Sequence, residues 1–176
     1  AVTGSYNVAF GYNAGRDNTT GASNVFIGRQ AGQETTIGTY NTYINWAGQN
    51  RQCGHNNFAV GLYALQGNST PANNCGQGNI ALGAHAGCVV DSGCYNFFGG
   101  YCAGKSTTSG SYNIAIGHNV ELPSATGSAQ LAIGKGTSHW ISGDSDFNVG
   151  IGTNTTAAVG VGITAKLSVG ILSAYQ

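Results

Sequence analysis

Charge is scarce in this chain. Of its 176 residues only 7% are charged, six basic against six acidic, for a formal net charge of zero. Ordinary soluble domains carry about 25%. Arg16, Arg29, Arg51, Lys105, Lys135 and Lys166 lie scattered among Asp17, Glu34, Asp91, Glu121, Asp144 and Asp146. That dispersal argues against nucleic acid as a partner and against an anionic membrane surface. Six separated acids also supply no carboxylate cluster for polysaccharide cleavage. Methionine is absent and proline occurs twice. The longest apolar run, 157–172, is broken by Lys166 and several glycines and is too short to cross a bilayer, which argues against membrane insertion. No secretory signal is visible and the chain begins at Ala1, so a processed chain or a fragment is expected.

What is abundant is glycine, with 30 residues, beside a hydrophobic content of 41% that argues against disorder. The two fall into one repeated phrase. An asparagine recurs at Asn7, Asn24, Asn41, Asn57, Asn79, Asn96 and Asn113, then Gln130 in the same role, then Asn148. Four positions later stands Gly11, Gly28, Gly61, Gly83, Gly100, Gly117, Gly134 or Gly152, with Asn45 as the one substitute. Units open near Gly4, Gly21, Gly38, Gly54, Gly76, Gly93, Gly110 and Gly127. Self-similarity at a fixed short period is the signature of a repeat architecture.

Each unit holds one short strand, as in Val8-Ala9-Phe10, Ile80-Ala81-Leu82 and Ile114-Ala115-Ile116. Alternate strand residues share a face, and the flanking Asn and Gly favour turns. No segment escapes glycine long enough to hold a helical stripe. The fold class predicted is all-β, an elongated β-solenoid with coils of about 17 residues. Stacked coils at about 4.8 Å would give a rod on the order of 45 Å long. The first and third strand residues are expected to form its core. The middle residue, alanine in five units, is expected to present a flat outer face for another chain. Phe26, Tyr43 and Phe98 at that position would need cover, so a homotrimer is expected. The shaft is placed at 1–146 and a C-terminal fibre segment at 147–176.

Few residues suggest chemistry. Cys53 and Cys75 each precede a repeat glycine, so stacked corners would put their Cα atoms near 5 Å, within disulfide range. Two reduced thiols fit the same spacing, and the total of five cysteines is odd. His55 and His85 beside these cysteines do not make a metal site of recognisable spacing, and no metal or other cofactor is expected. His85 and His118 fall at variable post-strand positions, Asp144 and Asp146 in a polar turn, and "GKGTS" lacks phosphate-loop spacing. No catalytic residue is assigned and the chain is not expected to be an enzyme. Binding is a better use of the irregular parts. The fourth unit carries an insertion, Leu65 to Cys75, that includes Asn68. A second irregularity runs from Lys135 to Asp146 with His139 and Trp140. Trp46, Tyr63, Tyr101 and Trp140 beside polar neighbours suit stacking on sugar rings; covering gaps at chain interfaces is the plainer alternative.

"SNVFIG", "GNIALGAHAG" and "YNIAIG" resemble the repeats of bacteriophage tail fibres, with Asn7, Gly11, Asn24, Gly28, Asn79, Gly83, Asn113 and Gly117 among the matching positions. More distantly they resemble the heads of trimeric autotransporter adhesins, whose period is shorter. The closing segment from Phe147 to Gly170 is similar to the end of such a fibre shaft. The resemblance implies a trimeric fibre on a virion, joined to other fibre or tail proteins and reaching for a host-surface glycan or protein. A bacterial surface or secreted adhesin head is the nearest alternative. An ice-binding solenoid is another, although its threonines (Thr19-Thr20, Thr35-Thr36, Thr107-Thr108) skip coils.

Overall fold

The computed structural model describes residues 4–146 and 148–152, and the backbone of 167–169. Its strands are β1 (Val8–Phe10), β2 (Val25–Ile27), β3 (Thr42–Ile44), β4 (Phe58–Val60), β5 (Ile80–Leu82), β6 (Phe97–Gly99), β7 (Ile114–His118), β8 (Leu131–Lys135), β9 (Ser138–Gly143), β10 (Val149–Ile151) and β11 (Leu167–Val169). They form one sheet in sequence order. From β1 to β8 every pairing is parallel and matches equivalent residues, Val8 to Val25 at one end and Ile114 to Leu131 at the other. The chain is therefore an all-β solenoid with coils of about 17 residues. One 3-10 turn, Pro71–Asn73, lies in the insertion of the long fourth coil.

The asparagines set the geometry. The amide N–H of Asn24 donates to Oδ1 of Asn7 (2.9 Å), that of Asn79 to Asn57 (3.0 Å), and the ladder ends with Gln130 donating to Asn113 (2.8 Å). Each Nδ2 also donates to the carbonyl of the glycine that opens the next coil. Asn24 reaches Gly38 (2.8 Å), Asn79 reaches Gly93 (2.8 Å) and Asn96 reaches Gly110 (2.9 Å). The glycine must bring its carbonyl that close. A Cβ on Gly21 would sit 2.5 Å from the carbonyl oxygen of Gly38.

This ladder overturns the expected orientation of the strands. Asn24, Asn41, Asn79 and Asn113 are fully buried and point inward to reach each other. With a period of two, the residue two positions on also points inward, and its neighbours point out. The core column is accordingly Phe26, Tyr43, Ala59, Ala81, Phe98, Ala115 and Ala132, all buried. The alanines expected outside are inside, and the large apolar pairs expected inside are outside. A coil this short leaves no room for two large side chains per rung beside an asparagine. Ala9, on the first rung described, is the exposed member of the series.

The rest of the interior comes from the corner opposite the strand. Ala31, Ala47, Ala64, Ala86, Ala103 and Val120 line it, with Leu65 and Val90 filling the coils whose strand residue is alanine. Gly104 there has φ +60° and packs against the Phe98 ring. A left-handed backbone with an aromatic ring against Cα admits only glycine.

Two departures matter. In the third coil Arg51 takes the corner that Thr35 and Thr107 hold elsewhere, and it is fully buried. Its Nη1 donates to Val90 O (2.9 Å) and Nη2 to Gly76 O (2.6 Å). The parallel stack then ends earlier than the expected shaft. β9 folds back antiparallel on β8, with a bulge at Ile133/Gly134, and β10 pairs antiparallel with β9. Most of the expected C-terminal segment, 147–176, lies outside the described residues.

Candidate functional site

The outward strand positions form the largest feature. Val8 and Phe10, Val25 and Ile27, Phe58 and Val60, Ile80 and Leu82, Ile114 and Ile116, and Leu131 and Ile133 stack as two parallel apolar ladders. Many are well exposed, Phe10 at 75%, Ile80 at 39% and Ile114 at 41%. None of these ladder positions carries a charge. Eight strands about 4.8 Å apart make the face roughly 34 Å tall. Thr42 and Gly99 are the two ladder positions without a large apolar side chain, so the strip is mostly apolar along its height.

Beside the strands' C-terminal ends runs a column of neighbouring rings. Trp46 and Tyr63 have centroids 5.4 Å apart, Tyr63 and His85 5.2 Å, His85 and Tyr101 6.2 Å, and Tyr101 and His118 5.3 Å. The Arg29 guanidinium lies 4.4 Å from the Trp46 ring centroid. The structure thus brings three of the expected site residues, Trp46, Tyr63 and Tyr101, into one array. It adds Arg29, His85 and His118, whose part in an array the sequence reasoning missed. Their signal is present in the sequence: Trp46, Tyr63, His85, Tyr101 and His118 are separated by 17, 22, 16 and 17 residues, close to the coil period. Tyr101 and His118 lie nearly parallel (19°), whereas Trp46 and Tyr63, Tyr63 and His85, and His85 and Tyr101 meet at 57°, 56° and 73°. A second set, Tyr6, Tyr40, Tyr95 and Tyr112, occupies the position before the ladder asparagine, each with φ near +60°. Tyr95 and Tyr112 stack at 5.3 Å.

The other expected binding residues do not join the column. Asn68 is engaged within the insertion: its Oδ1 accepts from the Thr70 amide (2.8 Å), and its own amide donates to Asn74 Oδ1 (3.1 Å). Trp140 stands on β9 with 70% exposure, while His139 beside it is buried. His139 lines a cavity of about 270 Å³ with Glu121, Leu122, Pro123 and Thr137. Glu121 Oε1 is 3.3 Å from Lys105 Nζ.

Cys53 and Cys75 are joined as a disulfide with Cα atoms 4.7 Å apart. Cys88, Cys94 and Cys102 are free thiols, and burial pushes the Cys88 thiol above its ordinary value. Asp144 accepts from the amide of Asp146 (3.0 Å) and from Nδ2 of Asn148 through both oxygens (3.1 and 3.0 Å), which makes it the anchor of a turn. Among the described residues no group of three or more His, Cys, Asp or Glu is placed to hold a metal, and no helix is long and apolar enough to cross a membrane. Thr35 and Thr107 point into the core, so the threonine pairs do not form the flat plane that ice binding needs. No family model, curated protein or solved structure matches the chain.

Proposed function

We propose that this chain is a segment of a structural and adhesive fibre, assembled as a homotrimer along the outward apolar face. The observation that carries the reading is that face, two uncharged ladders running the height of the parallel stack with many of their side chains exposed among the described residues. Another copy with the same rise per coil keeps every rung in phase, whereas a partner of different pitch drifts out of step. Two ladders per chain suit a three-fold seam, one ladder meeting each neighbour. The seam uses Val8, Phe10 and their counterparts, not the alanine face expected from sequence.

The resemblance of the repeat phrase favours a bacteriophage tail fibre on the virion over a bacterial adhesin head. Its further partners would be other fibre or tail proteins and a glycan or protein of the host surface. A stacked, self-bonded ladder with few charges supports stiffness and protease resistance as the purpose, with no catalytic step.

Light scattering of the native particle, with and without reductant, tests this. The expected mass is about 53 kDa in both conditions, three times the 17.8 kDa chain. A stable monomer overturns the trimer and leaves the apolar face unexplained.

A further inference from the structure

At the folded-back end of the stack, the segment after β7 and the β8–β9 turn enclose the cavity lined by Glu121, Leu122, Pro123, Thr137 and His139. The Glu121 amide donates to the Gly136 carbonyl (3.1 Å), so the two walls are tied by the backbone. Leu122 packs against the core cluster, which fixes the inner wall. None of the five residues belongs to the outward apolar ladders, so assembly along that face leaves the cavity open.

Its size and lining narrow the occupant. Drug-sized ligands use sites of about 300–1,000 Å³, so a cavity of about 270 Å³ suits a single small ring. Leu122 and Pro123 supply an apolar wall. Glu121 and Thr137 supply a carboxylate acceptor and a hydroxyl, while the ring nitrogens of His139 are buried. A wall of each kind matches a molecule with a C–H face and a hydroxyl edge. The Glu121 charge is already balanced by Lys105, which favours a neutral ligand over an amine or an acid.

We propose that this cavity binds one neutral saccharide ring, with its C–H face on Leu122 and Pro123 and its hydroxyls on Glu121 and Thr137. This rests on and deepens the adhesive half of the fibre reading by placing a ligand site at the folded-back end of the shaft. It does not depend on the number of chains in the particle, so light scattering and the following test fail separately.

The test is an NMR titration of the isotope-labelled full chain with the methyl glycosides of glucose, galactose, mannose and N-acetylglucosamine, and with methylamine. At least one glycoside is expected to shift the amides of 121–123 and 137–139 saturably. Glu121→Gln keeps the shape and is expected to weaken that binding at least about tenfold, the loss of hydrogen bonds to a charged group. Thr137→Trp, at an exposed turn, is expected to block the cavity and abolish the shifts while the spectrum elsewhere stays native. No shift with any glycoside, binding undiminished in both variants, or a response to methylamine alone overturns the proposal.

Discussion

Asn79 carries the solenoid's logic in one side chain. Its Oδ1 accepts from the amide of Asn96 (3.0 Å), and its Nδ2 donates to Gly93 O (2.8 Å) and Asn57 Oδ1 (3.2 Å), all in the dry interior. Truncation to alanine strands a buried N–H and a buried carbonyl, each costing about 1–3 kcal/mol. Asn79→Ala is therefore expected to lower stability by about 3 kcal/mol or more in urea unfolding. Asn7→Ala, at the half-buried first rung described, should cost about 1 kcal/mol. Equal effects would refute the ladder as the source of stability. Tyr43 gives the residue scale a pH dependence. Burial pushes its phenol above the ordinary value of 10.0, and the nearby Arg51 guanidinium only opposes the shift. A group whose folded value is raised contributes stability that is full below its unfolded value and lost as pH rises through the folded one. Wild type should therefore lose stability above about pH 10 more steeply than Tyr43→Phe. Thermal melts from pH 8 to 12 check this, and parallel curves would count against it.

At the scale of the strand, sign matters more than hydrophobicity. Ala81 points inward against Ala59 and Phe98, whereas Ile80 and Leu82 on either side point out. Ala81→Leu overpacks a full interior and is expected to cost about 1–3 kcal/mol or more, with little change in assembly. Ile80→Lys replaces a solvent-facing side chain, so a single chain should lose no more than about 0.5 kcal/mol. Placed in the seam, the same lysine buries an unpaired charge in each copy and should dissociate the particle on light scattering. If Ile80→Lys unfolds the chain and leaves its oligomeric state intact, the assignment of faces is wrong. The same pair explains what is legible in the sequence. The recurrence of Asn and Gly gives the strands, their order and their parallel register, because equivalent residues must stack. It does not give the direction in which each strand faces. Large apolar residues ordinarily fill cores, but here a buried polar ladder claims the inward parity first, and only the hydrogen bonds of Asn24 and its fellows reveal that. The aromatic column is half legible: the spacing of Trp46, Tyr63 and Tyr101 puts them at one corner, but His85 and His118 look like surface variation until their rings join the column. The cavity near His139 is not legible, because it depends on β9 turning back where the repeat would have continued.

Over the described stack, most contacts of each coil are with its neighbours, the Arg51–Val90 bond from the third coil to the fifth being an exception, so stability is close to a sum of coil and interface contributions and failures stay local. The fourth coil is where that sum is most exposed. It carries the insertion, lies between the buried Arg51 of the third coil and the Val90 carbonyl that Arg51 reaches in the fifth, and is tied to the third coil by the Cys53–Cys75 bond. That bond closes a loop with a sequence separation of 22, which in the chain-entropy account contributes about 3 kcal/mol. Its loss should open the insertion and the β4 and β5 coils before any other. Native-state hydrogen exchange of Cys53→Ser/Cys75→Ser, compared with wild type, reads this directly. Amides of Leu65, Gly67 and Gly76, which donate to Ala86, Cys88 and Asp91 across the coil, should lose protection by two orders of magnitude or so. Those of Ile114 and Asn119 in the β7 coil should keep theirs. A uniform loss from one end to the other would mean that the coils unfold as a single unit, and that the disulfide, not nearest-neighbour stacking, holds the column together.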